Sequence, residues 1–223
     1  MTGYQIPLQI RLNDAATFDN YFAGANRDIV RILQAQSEPY VYLWSASATG
    51  KTHLLQACCH AQPRGQAIYL PLLELASHPA EMLDGLEQFS LVCLDDVQAV
   101  VGKAEWELGL FNLYNRLREQ GGHLWITATV SPEQLSVQLP DLASRLKWGP
   151  VFQLQTLTDE DKVKAMQGRA RQRGFQLPDD VANYLLNRFS RDMHHLFALL
   201  DKLDTASLQA QRRLTIPFVK ELL

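Results

Sequence analysis

The chain has 223 residues, of which 47% are hydrophobic and 20% are charged, and its formal net charge is −3. This length and composition are typical of a globular chain with one sizeable domain, or one domain and a small satellite. The net charge argues against a strongly basic surface for nucleic acids. The sequence has no apolar run of about 18 residues, its N-terminus lacks a basic segment followed by an apolar one, and its three cysteines lack metal-binding spacing. We therefore expect a cytoplasmic protein without a membrane span.

The first twelve residues differ in pattern from the rest of the chain. Ile6, Leu8, Ile10 and Leu12 occupy alternate positions, which predicts an edge strand that tolerates Pro7. The same apolar side chains also suit a terminal peptide that docks into a groove of a partner protein. The pattern by itself favours the edge strand and leaves the docking peptide open.

The stretch from Tyr40 to His60 combines a strand, a loop and a helix. Tyr40–Trp44 is a short apolar run, SASATGKT comes directly after it, and apolar residues then recur at helical spacing. This order is that of the phosphate-binding P-loop, whose consensus G-x-x-x-x-G-K-[ST] is met except that Ser45 replaces the first glycine. The predicted nucleotide-binding residues of this stretch are Ser45, Ala46, Ser47, Ala48, Thr49, Gly50, Lys51, Thr52 and His53.

The residue types in this loop suit a nucleotide with Mg²⁺. Backbone N–H groups and the dipole of a helix N-terminus attract phosphate, and Gly50 lets the backbone come close. Lys51 can reach the β- and γ-phosphates, and the Thr52 hydroxyl can bind Mg²⁺. Ser45 fits less well than glycine if its backbone needs a positive φ. We predict ADP or ATP with Mg²⁺; the alternative is an ordinary Ser/Ala loop before a helix.

Further segments complete an α/β pattern. The sequence predicts a helix capped near Asn26. It also predicts strands at 66–70, 123–129 and 151–154, and helices at 77–86, 103–120 and 139–149. Thr127 and Thr129, near the end of the 123–129 strand, either sense the γ-phosphate or simply suit a strand.

The strand at 91–96 supplies a second candidate for the site, because four apolar residues lead into two carboxylates. Ligands of parallel sheets lie beyond the carboxyl ends of the strands. Asp95 is therefore predicted to hold Mg²⁺ together with Thr52. Asp96 is a candidate general base or water-orienting residue, although aspartate reaches less far than glutamate.

After Thr158 the pattern becomes helical, with predicted helices near 159–173, 179–188, 191–210 and 216–222. Strands that alternate with helices, and then helices alone, predict an α/β nucleotide-binding domain with an α-helical lid. The predicted boundaries are an N-terminal peptide at 1–12, the α/β domain at 13–157 and the lid at 158–223.

Four segments resemble the AAA+ core of the bacterial replication initiator DnaA. They are TFDNYFAGANR (17–27), GKTHLLQA (50–57), LDDVQ (94–98) and SRLKWG (144–149). The resemblance implies an AAA+ P-loop NTPase core, with a parallel sheet flanked by helices, plus a small all-helical lid domain. DnaA continues into a helix-turn-helix domain, which these 223 residues do not include. A DnaA-like module with a short N-terminal peptide is similar to the Hda family of DnaA regulators, as are LYNRL, LPDLASRL and LTIPFVKE.

The resemblance also implies roles for residues outside the P-loop. Gln5, Leu8 and Ile10 match the family's hexapeptide for the DNA polymerase III β sliding clamp. Arg145 matches an arginine finger that acts in a neighbouring subunit's nucleotide site, and Arg191 matches a sensor-2 arginine, with a surface ion pair as its alternative role. Thr129 falls at a sensor-1 position where the family usually has an acid or an amide.

The leading hypothesis is a nucleotide-bound regulator with weak or no ATPase activity of its own. On the DNA-loaded clamp it would present Arg145 to DnaA, stimulate ATP hydrolysis there and prevent re-initiation. The expected partners are DnaA and the clamp, with a homo-oligomer possible and no sequence-specific DNA binding. The rival hypotheses are an autonomous ATPase such as a helicase-loader-like homo-oligomer, a small P-loop kinase, and a DNA-binding module. Steady-state ATPase activity of the protein alone separates the first two.

Overall fold

The computed structural model describes residues 12–14, 16–46, 48–189, 192–210 and 212–222. The predicted clamp-binding residues Gln5, Leu8 and Ile10 lie outside these ranges. The chain divides into two compact units, the core unit (Met1–Gln155) and the lid unit (Thr156–Leu223).

A parallel sheet of five strands organises the core unit. The strands are β1 (Tyr40–Trp44), β2 (Ala67–Pro71), β3 (Leu91–Asp95), β4 (His123–Ala128) and β5 (Val151–Gln153). Their order across the sheet is β2-β3-β4-β1-β5, and every neighbouring pair is parallel. The central strands read as unbroken apolar runs because helices cover both faces of such a sheet.

Helices of the core unit lie on the two faces of this sheet. They are α1 (Arg27–Ala35), α2 (Lys51–His60), α3 (Leu72–Leu75), α4 (Ala104–Gln120) and α5 (Pro140–Arg145). On one face, α1 and α2 pack on Leu43 and Trp125. On the other face, α4 and α5 pack on Leu94 and Ile126. Because α2 begins at the end of the P-loop, the sheet separates the P-loop helix from α4 and α5.

The helix predicted over 77–86 is wrong. Two short 3₁₀ turns, Ala80–Leu83 and Leu86–Gln88, occupy this segment. Pro79 precedes the first turn with an extended backbone, and Gly85, with φ 82°, separates the two. Proline removes a backbone N–H and a glycine at positive φ leaves the helical region, so the apolar spacing of this segment could not extend into a helix.

Asn26 precedes α1 as predicted, but its side chain does not cap the helix. Its amide Nδ2 instead donates to the carbonyl oxygen of Gln155 at 2.9 Å, and its Oδ1 accepts from the Gln155 N–H at 2.8 Å. Asn26 is 2% exposed, and a buried amide needs such partners. The prediction that Asn26 caps the helix was therefore wrong, because its side chain bonds to a residue 129 positions away in the chain.

The lid unit contains only helices among its described residues. These are α6 (Asp159–Gln172), α7 (Asp179–Arg188), α8 (Met193–Ala210) and α9 (Ile216–Leu222). Thr158 begins α6 with a cap, since its hydroxyl oxygen accepts from the Asp161 N–H at 3.1 Å. Met166, Leu185 and Leu200 belong to a core that this unit builds for itself.

The predicted fold class is confirmed: a P-loop α/β core with a parallel sheet flanked by helices, and a small all-helical lid. Among the residues that the structure describes, no helix is long and apolar enough to cross a membrane.

Candidate functional site

Ser45 is the centre of the hydrogen bonds that hold the P-loop. It is 2% exposed, and its Oγ lies 2.7 Å from Thr49 Oγ1. Lys51 Nζ donates to the Ser45 carbonyl oxygen at 3.0 Å and to Ser45 Oγ at 3.1 Å. Among described residues other than glycine, a positive φ occurs at Gln36 and Asp96 only. Ser45 therefore carries none of the backbone strain that a serine at this position could have had, and its hydroxyl links both ends of the loop.

A tyrosine from the segment before α1 covers the other end of the loop. Gly50 has φ 84°, and a Cβ there would meet Tyr21 Cε2 at 2.8 Å. The Tyr21 hydroxyl donates to the Thr49 carbonyl oxygen at 3.0 Å, and burial raises the pKa of Tyr21 to about 12, so it remains a donor. His53 Nε2 lies 2.8 Å from the Thr17 carbonyl oxygen. Residues 17–21 thus pack against the start of α2, where only glycine fits.

Asp95 ends β3 and accepts hydrogen bonds from three hydroxyl groups. Thr52 Oγ1 and the Tyr69 hydroxyl donate to its Oδ2 at 2.6 Å and 2.8 Å, and Thr127 Oγ1 donates to its Oδ1. Asp95 is 3% exposed, and such donors stabilise a buried carboxylate. Burial and the Asp95 charge together raise the pKa of Tyr69, which keeps its hydroxyl protonated. The structure thus brings together Thr52 and Asp95, the two residues predicted to hold Mg²⁺.

Lys51 is half-buried at this site, and its electrostatics favour an anion. Burial lowers the pKa of Lys51, while the charges of Asp96 and Asp95 act in the opposite direction. Phosphate groups near Nζ would add negative charge and offset the loss of water around the ammonium group. This charge balance fits the polyphosphate of ADP or ATP.

The donor set for a metal fits Mg²⁺ together with phosphate. Among the described residues, no group of three or more His, Cys, Asp or Glu side chains could hold a metal ion. Thr52 and Asp95 offer one hydroxyl and one carboxylate within 2.6 Å of each other. Mg²⁺ is usually held by one or two such groups, with nucleotide phosphates and water as its other ligands.

Asp96 and Thr129 are connected through Gln98. Asp96 has φ 59°, its N–H donates to Thr127 Oγ1 at 3.0 Å, and its Oδ1 accepts from Gln98 Nε2 at 2.9 Å. Gln98 Oε1 accepts from the Thr129 N–H at 3.2 Å. Of the two threonines considered from the sequence, Thr127 therefore contacts Asp95, whereas Thr129 joins the network through its backbone.

Two residues of this network, Tyr69 and Gln98, were not among the predicted site residues. Tyr69 pairs with Cys93 in the β2–β3 register, which brings its long side chain to the end of β3. The signal in the sequence was a single hydroxyl in the apolar strand AIYLP. Gln98 comes after the two carboxylates of LDDVQ, and nothing local distinguished it from a surface glutamine.

Two predicted nucleotide-site residues, Ala46 and Ala48, contribute no polar side chain to this network. Ala46 and Ala48 are in the loop between Ser45 and Thr49 and can offer only backbone groups to a ligand. Ser47 and Arg191 lie outside the described residues.

Arg145 lies at the end of α5, on the α4 side of the sheet and away from α2. Its Nε donates to Asn115 Oδ1 at 2.9 Å. Its guanidinium carbon is 4.3 Å from the centre of the Phe111 ring and 5.6 Å from that of Trp148. Among the described residues it has no carboxylate partner. We call Phe111, Asn115, Arg145 and Trp148 the arginine surface. The two rings contact the Arg145 guanidinium by cation–π interactions, and the Asn115 amide accepts a hydrogen bond from it.

Comparison with protein families gave two matches in separate parts of the chain. The model of the bacterial DnaA ATPase domain matches residues 76–153, and the model of the Hda lid domain matches residues 159–223. A protein of Haemophilus influenzae, described only as uncharacterised, is 50% identical over an alignment of 226 positions that covers 98% of each chain.

Solved structures of DnaA and of the branch migration motor RuvB share this fold. Domain III of the replication initiation protein DnaA from Thermotoga maritima has a TM-score of 0.77 and 20% identity, over 96% of this chain and 97% of that chain. AMPPCP-bound DnaA from Aquifex aeolicus has a TM-score of 0.71 and 24% identity, over 85% of this chain and 66% of that chain. The Holliday junction branch migration motor RuvB of Thermotoga maritima has a TM-score of 0.66 and 16% identity, over 93% and 70%. At these identities the similarity concerns the AAA+ fold.

Proposed function

We propose that this chain, which belongs to the DnaA-related AAA+ family and carries a lid of the Hda type, regulates the initiation of chromosome replication. In this proposal it is a cytoplasmic protein that binds ADP or ATP with Mg²⁺ and is held on the DNA-loaded sliding clamp. There it stimulates ATP hydrolysis by DnaA and so prevents a second initiation.

The placement of Arg145 carries the proposal. Its guanidinium rests on Phe111 and is fixed by Asn115, on the sheet face opposite the chain's own P-loop helix. An arginine that acts within its own site would face that site, so the placement of Arg145 supports a role toward a nucleotide held by another molecule. A trans arginine finger stabilises charge that develops on the transferred phosphoryl group, and in GTPase systems it increases the rate roughly 10³- to 10⁵-fold.

The chain's own nucleotide acts as a structural ligand in this proposal. Lys51, Thr52 and Asp95 support ADP or ATP with Mg²⁺, and the relatives in the DnaA family include an AMPPCP-bound one. A ligand that binds only the folded state stabilises by about 2.7 kcal/mol at 100 times its Kd. We therefore expect ADP to raise the melting temperature.

The clamp contact is proposed for Gln5, Leu8 and Ile10, and its support is the sequence pattern alone. A pull-down with purified sliding clamp tests it. The intact chain should retain the clamp, and Gln5→Ala/Leu8→Ala should lose it, whereas equal retention would remove the clamp from the proposal.

The decisive experiment is a reconstituted assay with DnaA–ATP, clamp, DNA and this protein. Arg145→Ala should fold, bind nucleotide and bind the clamp, but should no longer stimulate DnaA. Arg31→Ala is the matched control, because it removes an exposed cation from α1 and should stimulate fully. Stimulation by Arg145→Ala at the level of Arg31→Ala would reject the proposal.

An autonomous ATPase is the second candidate, and the contact between Thr52 and Asp95 next to Lys51 favours it. Such an enzyme would turn over ATP steadily without DnaA and would lose that turnover in Lys51→Ala. Absence of turnover in the wild-type protein alone would leave the regulator as the function.

A further inference from the structure

A second guanidinium group lies next to the arginine surface. Arg118, in the last turn of α4, has its guanidinium carbon 4.9 Å from the centre of the Trp148 ring. The guanidinium of Arg145 lies 5.6 Å from the centre of the same ring. Within the described ranges, neither arginine forms an ion pair with a carboxylate. Two like charges are thus held beside one indole.

The position of Trp148 is fixed by its neighbours. Gly149 has φ 76°, and a Cβ at this residue would collide with the carbonyl oxygen of Tyr40. The Trp148 ring meets Tyr114 edge-on at 6.0 Å, and Tyr114 stacks on Tyr40 at 4.5 Å. Trp148 is nevertheless 40% exposed. The chain therefore builds a packed aromatic support whose outer part stays exposed, with Arg118 exposed and Arg145 partly exposed beside it.

The chemistry of this place suits phosphate. Guanidinium groups bind phosphate through paired N–H donors, and aromatic contacts reduce the freedom that each arginine must lose on binding. The two positive charges repel each other until an anion lies between or beside them. A single carboxylate would neutralise one of them, whereas a polyphosphate can engage both.

We propose that Arg118 is a second phosphate-binding residue, which together with Trp148 and Arg145 receives the polyphosphate of a nucleotide bound to the partner protein. The inference rests on the proposed function and assigns the two arginines different roles within it. Arg145 acts on the chemical step, and Arg118 acts on binding by attracting the partner's nucleotide.

Stimulation of DnaA–ATP hydrolysis, measured against the concentration of this protein, tests this division. Arg118→Ala should raise the half-saturating concentration roughly five- to tenfold and leave the maximal rate nearly unchanged, because a charge at the edge of an interface acts mainly on encounter. Its salt dependence should also be weaker than that of the wild type. Arg31→Ala, which changes the net charge equally, should behave like the wild type.

A second measurement needs no partner. With excess ADP present, inorganic tripolyphosphate is titrated into the protein while the side-chain Nε–H resonances of the arginines are followed by NMR. The Arg118 and Arg145 resonances should shift together, and the Arg145 shift should shrink in Arg118→Ala, while Arg31 stays unaffected. A poly-glutamate peptide at equal charge should produce much smaller shifts.

The outcomes separate the two proposals. If Arg145→Ala abolishes stimulation while Arg118→Ala leaves the half-saturating concentration unchanged, the inference is wrong and the proposed function stands. Absence of a shift with tripolyphosphate, or an equal shift with poly-glutamate, also overturns it. Full stimulation by Arg145→Ala rejects the proposed function itself, and the division of work between the two arginines with it.

Discussion

The P-loop and the arginine surface differ in which partners their charged side chains have nearby. At the P-loop, Lys51 bonds to Ser45, and Thr52 bonds to Asp95, so that the charged and polar groups of the site have partners within it. At the arginine surface, Arg145 rests on aromatic rings and an amide, without a carboxylate among the described residues. The first arrangement suits a ligand held within the chain. The second suits an anion supplied by another molecule, as the proposed function requires.

The largest expected effect comes from Lys51→Ala, which separates the two regions. We expect ADP affinity to fall at least about 100-fold, or about 2.8 kcal/mol, because the cation that contacts the phosphates is lost. Isothermal titration calorimetry measures this change. Arg145→Ala is the matched control and should bind ADP like the wild type, since it lies on the other face of the sheet. An equal loss in both variants would contradict the comparison.

Gly149→Ala should disturb the arginine surface through the backbone. The new Cβ would collide with the Tyr40 carbonyl oxygen and would be strained at φ 76°. We expect the free energy of unfolding to fall by about 2 kcal/mol or more, as measured by urea denaturation. Gly65→Ala, at φ 81° with nothing within 4 Å, carries the strain without the collision and should lose only about 1 kcal/mol. Similar losses in both would mean that the Tyr40 contact does not matter.

Thr127→Val tests the hydrogen bonds that three hydroxyl groups donate to Asp95. It removes a hydroxyl that donates to Asp95 and accepts from the Asp96 N–H, and leaves both groups short of a partner. The expected loss is about 1–2 kcal/mol in the free energy of unfolding, from urea denaturation. Thr127→Ser retains the hydroxyl and should lose less. A Thr127→Val protein as stable as the wild type would show that these two hydrogen bonds contribute little to the free energy of unfolding.

Asn115→Ala should have the smallest effect on stability, less than about 1 kcal/mol, because the bond that it removes is half-exposed. Its effect should appear in the motion of Arg145, whose Nε loses its acceptor. NMR relaxation of the Arg145 Nε–H measures this mobility. Asn115→Asp is the informative counterpart, since a carboxylate there would pair with Arg145 and should lower stimulation of DnaA. Unchanged Arg145 mobility in Asn115→Ala would show that the remaining contacts, with Phe111, Trp148 and the Asp141 carbonyl oxygen, fix the side chain.

The fold and the family were both predicted from the sequence and are confirmed, because their signals are local. Gly50, Lys51 and Thr52 are consecutive, and Asp95 ends an apolar strand. The P-loop works largely through backbone groups, so a short motif describes most of its chemistry. This is why the nucleotide site could be outlined without knowing the sheet order.

The parts that could not be predicted depend on distant partners. Tyr69 reaches Asp95 only because β2 and β3 pair in one register, and Asn26 bonds to Gln155 across most of the core unit. Phe111 lies beside the apolar face of α4. In the sequence it could not be told from an ordinary apolar residue of that helix, and only the structure shows that its ring contacts Arg145. The P-loop motif marked Ser45 as a poor replacement for glycine. The structure shows instead that its hydroxyl forms hydrogen bonds with Thr49 and Lys51.

Glu107, on α4, is 1% exposed, and its carboxylate accepts N–H groups from two other segments. Gly102 donates at 2.7 Å from the loop before α4, and Gln138 and Leu139 donate at 2.9 Å and 2.7 Å from the chain before α5. Release of any one donor would leave a buried carboxylate less stabilised. These three amide hydrogens should therefore exchange with solvent through one cooperative opening, with the same free energy of opening. Until that opening occurs, we expect α4 and α5 to move as one body, which would preserve the spacing between Asn115 and Arg145.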